Sequence, residues 1–212
     1  MVKLGCILSK TDIQDIKDTV KAVESATSGE VVVVLSKRSS RYTTTELIYS
    51  IIFGYIFAFV YHLIFKDTGI FGFIGSSFLG MLFCFAFLSF GKIKRLFLSA
   101  NTMLSKVHQA AFKSFYKHGV YRTKHKTGIL IYISLMERMV VVVGDEGINS
   151  KLVANSWDDV VAKIIIGIKE HDLKKGIVEG LKASTALLRT HFPISSDDVN
   201  ELNDSVIIEE CL

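Results

Sequence analysis

Two long apolar segments lie in the middle of the chain, and neither contains Lys, Arg, Asp or Glu. The first covers residues 47–65 (19 residues) and the second covers residues 69–90 (22 residues). An α-helix rises about 1.5 Å per residue, so each segment is long enough to cross the hydrocarbon core of a bilayer, about 30 Å thick. Buried core helices seldom run this long without a charge, and the pattern therefore predicts two membrane-spanning helices.

The two segments are separated by Lys66, Asp67 and Thr68, which are too few residues to cross a membrane. The helices must therefore be antiparallel neighbours joined in a hairpin. Basic residues gather at the outer ends of this hairpin, before the first segment and after the second: Lys37, Arg38, Arg41, Lys92, Lys94 and Arg95. Because basic flanks stay on the cytoplasmic side, we expect the turn outside and both flanks inside.

Small residues recur at every fourth position of both segments, which places them on one face of each helix. They are Ser50, Gly54 and Ala58 in the first segment, and Gly72, Ser76, Gly80 and Cys84 in the second. In lipid, small side chains let helix backbones approach closely. We expect Gly54, Ala58, Gly72, Ser76 and Gly80 to pack the hairpin on itself, with a homodimer through the second span as the competing use. The role of His62, which continues the first stripe, stays open.

The residues before the hairpin are patterned as a helix followed by a buried strand. Ile13, Ile16, Val20 and Val23 form an apolar stripe, which Ser9 or Thr11 can cap, with Gln14 completing a capping box to Thr11. Residues 30–35 then read EVVVVL, a run that is apolar on both faces. Such a run is typical of a central strand covered by helices, and its partner strands must come from beyond the hairpin.

The residues after the hairpin supply those partners. Two further apolar runs, 128–134 and 139–144, predict strands joined as a β-hairpin across residues 135–138. Helices are predicted over 101–117, over 157–169 with Ser156 as the cap, and over 173–192, where Pro193 ends the helix. Residues 206–208, in the tail, are either an edge segment or disordered.

These elements predict an α/β fold, a three-layer, helix-covered mixed sheet interrupted by a two-helix transmembrane hairpin. The predicted organisation is a discontinuous cytoplasmic domain of residues 1–46 and 91–193, a hairpin of residues 47–90, and a tail of residues 194–212. Because a sheet cannot pair across a bilayer, both parts of the domain must lie on one side of the membrane.

The charge is distributed unevenly. The formal net charge is +4, but the tail from residue 194 holds six acidic residues and no Lys or Arg, so 25 basic and 15 acidic residues precede it. A basic body indicates an anionic partner, and the nearest one for a membrane protein is the set of anionic lipid headgroups of the cytoplasmic leaflet. No nucleic acid is expected, because no matching motif accompanies the basic residues. The three cysteines are too far apart to indicate a disulfide framework.

Four strings resemble the TPM-domain family: SGEVVVVLS at 28–36, YRTKHKTGILIYISLMERMVVVVGDEGI at 121–148, WDDVVAKI at 157–164, and HFP with DDVNEL within 191–202. The resemblance is to the bacterial membrane-bound branch, in which a helical hairpin follows the first strand. It implies a helix-covered sandwich of Rossmann-like appearance and a multi-pass protein of the bacterial inner (plasma) membrane with both termini cytoplasmic. Some relatives have been credited with acid phosphatase activity or divalent-metal binding, and the resemblance implies these as expectations for this chain. Relatives with those activities carry acidic or amide residues before the second strand, where this chain has basic residues at 124–126.

Carboxylates next to the predicted strands are the candidate metal ligands. Asp145 and Glu146 follow the third strand in a loop bounded by glycines, and Glu30 begins the first strand. Carboxylate oxygens are preferred ligands of Ca²⁺ and Mg²⁺, so these three residues are candidates for such a cation. The alternative is an acidic surface loop that leads into the next helix.

A basic loop precedes the second strand. Arg122, Lys124 and Lys126 are candidates for contact with an anion or a lipid headgroup, and a solvated surface is the alternative. The chain has no nucleophile-elbow, zinc-protease or glycine-rich phosphate-binding motif.

We therefore expect a membrane-anchored, non-catalytic binding or scaffolding domain at the cytoplasmic membrane face, which binds a protein partner or the leaflet surface. The alternative is a membrane-tethered, acid phosphatase-like hydrolase that depends on a divalent metal.

Overall fold

Four strands form one mixed sheet in the order β3-β2-β1-β4: β1 (Glu30–Ser36), β2 (Gly128–Ser134), β3 (Met139–Gly144) and β4 (Val206–Glu209). β1 pairs in parallel with β2 and β4, and β2 pairs antiparallel with β3. The expected pairing of the first strand with the second, across the apolar hairpin, is confirmed. The tail segment 206–208 docks as an edge strand.

The computed structural model describes residues 8–66, 69–194, 201–202 and 206–209. Most of the acidic tail, Asp67 and Thr68 of the predicted turn, and Cys6 and Cys211 lie outside the described residues. The chain forms two compact units, Met1–Ser40 with Leu104–Leu212, and Arg41–Met103.

Eight α-helices occupy the described part of the chain: α1 (Lys10–Glu24), α2 (Thr43–Ile64), α3 (Gly69–Leu88), α4 (Gly91–Leu96), α5 (Ala100–Lys117), α6 (Glu146–Asn149), α7 (Asp158–Lys169) and α8 (Leu173–His191). Two short 3-10 helices cover Val120–Arg122 and Ala154–Trp157. The long helices match the predicted ones to within a few residues at each end.

The sheet is covered by helices on both faces. Val31, Val33 and Leu35 of β1 point to one face, where they share a core with α1, α7 and α8. Val32 and Val34 point to the other face, where they share a core with buried residues of α5. Alternate strand residues face opposite sides of a sheet, which explains why this strand is apolar at every position. The three-layer α/β arrangement is confirmed.

The predicted Ser9 cap of α1 is confirmed, whereas the predicted capping box between Thr11 and Gln14 and the predicted Ser156 cap of α7 are wrong. The capping box of α1 joins Ser9 to Asp12, because Ser9 holds the extended backbone position directly before the first helical residue. Thr11 and Gln14 lie inside the helix instead. Ser156 does not cap α7, because it lies within the preceding 3-10 helix, and α7 begins at Asp158 without a side-chain cap.

The unit Arg41–Met103 contains the two apolar helices, and α2 begins four residues before the first apolar segment. α2 and α3 pack through small residues. Gly54, Ala58, Ser76 and Gly80 are buried, and Gly72 is half-buried. A methyl group on Gly54 would lie 2.7 Å from the Ser77 carbonyl oxygen, so the two backbones approach too closely for a larger residue.

Candidate functional sites

Glu30 and Asp145 lie at the same edge of the sheet. Glu30 begins β1 and pairs with Gly128, the first residue of β2. Asp145 follows the last residue of β3, and its backbone N–H donates to the Gly128 carbonyl oxygen at 2.9 Å. The two carboxylates share this edge because β3 runs antiparallel to β2, so its carboxyl end meets the amino ends of β1 and β2.

The three candidate metal ligands are engaged to different degrees by the protein itself. Buried Glu30 accepts hydrogen bonds from the backbone N–H groups of Glu201 and Leu202, both at 3.4 Å. Exposed Glu146 forms an ion pair with Lys126, whose hydrogen bond and charge lower the pKa of this carboxyl. The same contact raises the pKa of Lys126.

Asp145 has one engaged and one free carboxylate oxygen. Its Oδ1 accepts from the Glu146 backbone N–H at 2.8 Å and so caps α6. Its Oδ2 is buried and has no hydrogen-bond partner among the described residues. Over the ranges that the structure describes, no three His, Cys, Asp or Glu side chains come together as a group that could hold a metal ion. Metal binding by Asp145, Glu146 and Glu30 stays a prediction.

The basic loop lies against aromatic and acidic groups. Arg122 stands over the ring of Tyr121 at 5.6 Å, and a hydrogen bond to the Tyr121 hydroxyl raises the pKa of the guanidinium. The backbone N–H of Lys124 donates to Glu201 at 2.6 Å, and Lys126 pairs with Glu146. The structure therefore places the three predicted cations on one segment, with Lys126 neutralised and the Lys124 side chain exposed.

The opposite edge of the sheet holds a buried polar cluster that the sequence reasoning missed. Glu137, in the turn between β2 and β3, is 1% exposed and accepts from the Ser39 backbone N–H at 3.0 Å and from the Ser134 hydroxyl. It therefore links the segment after β1 to the end of β2. Burial raises the pKa of the nearby Tyr132 phenol. Serines at the carboxyl ends of two apolar strands were the available signal.

A second missed cluster anchors β4. The Glu209 carboxylate accepts from the Lys117 ammonium at 2.6 Å and the Ser114 hydroxyl at 3.1 Å, and lies 2.9 Å from His118 Nε2. Burial by itself raises the pKa of Glu209, but the hydrogen bonds from Lys117, His118 and Ser114 outweigh it and lower the pKa. A single glutamate in an acidic tail gave no sign of this role.

The helical unit contains a buried ion pair, also missed. Glu46 of α2 pairs with Lys94 of α4, and both side chains are buried. The Lys94 ammonium also donates to the Arg41 carbonyl oxygen at 3.2 Å. The signal available in the sequence was one acid just before the first apolar segment and three bases just after the second.

The outward faces of α2 and α3 carry large apolar side chains. Both helices are long and apolar enough to cross a membrane, and only 17% of the most apolar window of each is buried. Phe71 is 86% exposed and Leu79 is 65% exposed. An exposed apolar surface of this kind on both helices marks a site of contact with lipid or with another protein.

Comparisons with known proteins agree on the α/β unit. The family model for the TPM domain matches residues 98–187, which hold α5, β2, β3, α7 and most of α8. The structure is also similar to the NMR structure of the BA42 protein from the psychrophilic bacterium Bizionia argentinensis sp. nov., with 21% sequence identity over 95% of each chain and a TM-score of 0.61. No curated protein matches the chain. Residues 98–187 therefore match the TPM domain, and the chain has a mixed α/β fold whose four-stranded sheet is covered by helices.

Proposed function

We propose that this chain is a multi-pass protein of the bacterial inner membrane, in which α2 and α3 form a transmembrane hairpin. Its TPM domain acts as a non-catalytic binding or scaffolding domain at the cytoplasmic face. The observation that carries the proposal is the exposed apolar surface on both helices of the hairpin. In water this surface is costly, whereas in a bilayer it is solvated by lipid chains.

The charges of the helical unit support a lipid environment. Within the described parts of α2 and α3, Glu46 is the one acidic side chain, and Lys94 neutralises it. An unpaired charge is expensive in or near the hydrocarbon core, and pairing removes most of that cost. The hairpin therefore presents apolar side chains outward and keeps its buried charges in contact with each other.

The pairing of β1 with β2 supports the proposal that both flanks of the hairpin lie on the same side of the membrane. β1 ends at Ser36, before α2, and β2 begins at Gly128, after α5, yet the two strands are hydrogen-bonded neighbours. A chain that leaves β1 must return to the same side of the membrane before it forms β2. The basic residues near both ends of the hairpin favour the cytoplasmic side.

A binding role is favoured because two carboxylates at the sheet edge where β1 begins and β3 ends already have partners within the protein. Glu30 is held by backbone donors of the tail, and Glu146 is held by Lys126. Carboxylates that already satisfy protein donors stabilise the fold, and recruiting them as general acids or bases would break those contacts. The partner of the domain is a protein or the anionic leaflet.

Cysteine accessibility in whole cells tests the topology. In a chain with Cys6, Cys84 and Cys211 changed to Ser, one new cysteine is placed at Lys66 in the turn or at Lys182 on α8, both exposed positions. A membrane-impermeant maleimide is expected to label Lys66→Cys in intact spheroplasts and Lys182→Cys only after lysis. Labelling of both before lysis, or extraction of the protein by alkaline carbonate without detergent, would overturn the anchor.

The second candidate function is hydrolysis of phosphate esters, and the unpartnered Oδ2 of Asp145 is the observation that favours it. The purified full chain is assayed with a chromogenic phosphomonoester in the presence of Mg²⁺ or Ca²⁺. Turnover that is lost in Asp145→Ala but kept in Asp158→Ala, an exposed acid of the first turn of α7, would establish this function in place of the non-catalytic one.

A further inference from the structure

The outward face of α5 carries an exposed apolar stripe. Leu104, Phe112 and Tyr116 follow one another at spacings of eight and four residues, so they line one side of the helix, and His108 lies in the same row. Phe112 is 51% exposed and Tyr116 is 64% exposed, while Val107 and Ala111, on the inner side, are fully buried against the sheet. α5 therefore has two apolar sides, and only the inner one is used by the fold.

A row of lysines lies beside this stripe. Lys106, Lys113 and Lys117 follow at spacings of seven and four residues, which places them on one side of α5. The helix contains no Asp or Glu at all between Ala100 and Lys117. Lys117 reaches Glu209, yet about half of its side chain stays accessible. The outward face is thus aromatic on one side and uniformly basic on the other.

The aromatic surface continues beyond the end of α5. The ring of Tyr116 lies 5.6 Å from the ring of Tyr121, and Arg122 stands over the Tyr121 ring. Tyr121 itself is 41% exposed. Tyrosine rings with a cation alongside are typical of surfaces at the level of lipid headgroups, where one part of the ring is in apolar surroundings and the hydroxyl is hydrated.

We propose that the outward face of α5, with Tyr121 and Arg122, docks on an anionic lipid surface and holds the TPM domain against the membrane. This inference rests on the proposed membrane anchor, and it assigns the lipid-contacting surface of the domain. A helix with an apolar stripe, a basic side and no acids matches the chemistry of interfacial helices that bind anionic lipid.

Chain continuity brings α5 to the bilayer. α3 ends at Leu88 and α5 begins at Ala100, so eleven residues, or twelve steps from one Cα to the next, separate the end of the hairpin from the start of the helix. At about 3.5 Å per residue, even a fully extended connection spans about 42 Å, and the helical turns of α4 shorten it. The basic helix is therefore held within reach of the headgroups at a high effective concentration.

Spin labelling of the full chain in vesicles tests the contact. In the Cys6→Ser, Cys84→Ser, Cys211→Ser background, a label is placed at Gln109 on the outward face of α5, at Phe78 on the hairpin, or at Lys182 on α8. Vesicles contain phosphatidylcholine alone or with phosphatidylglycerol. Collision with oxygen and with a water-soluble nickel chelate then reports where each label lies. We expect the Gln109 label to be protected from nickel only in anionic vesicles and the Lys182 label to be accessible in both.

Removal of charge gives the matched test. Each basic residue near an anionic leaflet strengthens surface binding about fivefold. The double variant Lys106→Gln with Lys113→Gln is therefore expected to lower the ratio of docked to undocked domain about 25-fold. The control variant, Lys169→Gln with Lys182→Gln on α7 and α8, removes the same charge elsewhere and is expected to leave the ratio unchanged. Thermal unfolding of both variants shows that each is folded.

The outcomes separate this inference from the proposed function. A Phe78 label in hydrocarbon together with a nickel-accessible Gln109 label in anionic vesicles overturns the α5 contact and leaves the anchor standing. A nickel-accessible Phe78 label overturns the anchor itself. Protection of Gln109 that is equal in both kinds of vesicle also overturns the contact. In that case, spin–spin broadening would identify a second copy of the chain on α5, and its absence would identify burial by another protein surface.

Discussion

The carboxylate of Glu209 holds the edge strand β4 to the rest of the domain. It sits between Ser114, Lys117 and His118, and all three belong to α5 or the residue directly after it. The described part of β4 is four residues long and pairs with β1. A short edge strand with so few ladder bonds depends strongly on such a side-chain anchor.

The anchor predicts a loss of stability in acid, below the ordinary pKa of a glutamate. The pKa of Glu209 is lower in the folded chain than in the unfolded one, so its contribution is complete above about pH 5 and is lost as pH falls through the folded value. Glu209→Gln is expected to cost about 1–3 kcal/mol at neutral pH and to flatten this decline. Urea unfolding at a series of pH values measures both effects; parallel pH profiles of the two proteins would contradict the prediction.

The Glu46–Lys94 pair predicts an asymmetry between single and double substitutions. Lys94→Met leaves a buried carboxylate without its counter-ion and is expected to destabilise the helical unit by about 3 kcal/mol. Adding Glu46→Leu removes the unpaired charge and is expected to restore most of that loss. Thermal unfolding in detergent measures the series, and Arg95→Met, at a half-buried neighbouring position, is the control. A double variant no more stable than Lys94→Met alone would show that the pair is not the cause.

At the scale of the elements, α2 and α3 are held together by shape. Gly80 lies directly against Phe57, and a methyl group there would come within 2.8 Å of the Phe57 Cβ. Gly75, in the same helix, has nothing within 4 Å of that position. The two glycines have the same chemistry and differ only in what they face.

This difference predicts opposite outcomes for the same substitution. Gly80→Leu is expected to force the helices apart and lower the unfolding temperature of the hairpin in detergent micelles, because the new side chain has no space. Gly75→Leu is expected to leave it unchanged or raise it slightly, since leucine favours the helix and the site is open. Circular dichroism at the helix band follows both. Equal effects at the two positions would mean that the helices do not pack through the small residues.

At the scale of the whole molecule, the α/β unit is assembled from two separate stretches of chain. Its sheet needs β1 from before the hairpin, and β2, β3 and β4 from after it. The family model begins at residue 98 and thus matches only residues after the insertion. Among the residues that the structure describes, no strand of the sheet comes from the unit Arg41–Met103.

The domain is therefore expected to fold without the hairpin. Replacing residues 42–98 with a Gly/Ser linker of about 15 residues, whose root-mean-square reach is about 21 Å, should give a water-soluble protein with a cooperative unfolding transition. Val33→Asp in this shortened chain places a charge in the fully buried centre of β1 and is the unfolded control. Aggregation of the shortened chain, at the level of that control, would show that the helical unit is required for folding.

The strands show how much of the fold the local sequence pattern predicts. The runs at 30–35, 128–134 and 139–144 were assigned from sequence to within one residue, because apolar, β-branched runs bounded by glycine or polar residues have few other solutions. The helix caps were harder: Ser9, Thr11 and Ser156 are all chemically able to cap. Which of them caps a helix depends on the residue at which the backbone becomes helical, and a shift of that point by a single residue changes the cap.

The sequence alone was sufficient for the features that repeat along the chain: the two long apolar helices, the central strands with their pairing, and the excess of positive charge before the tail. These follow from periodicity and composition, which act over a few residues at a time. Only the tertiary structure decided the roles of Glu209, Glu137 and Glu46. Their partners lie 95, 98 and 48 positions away in the chain, and a buried carboxylate is explained only by the donors that surround it.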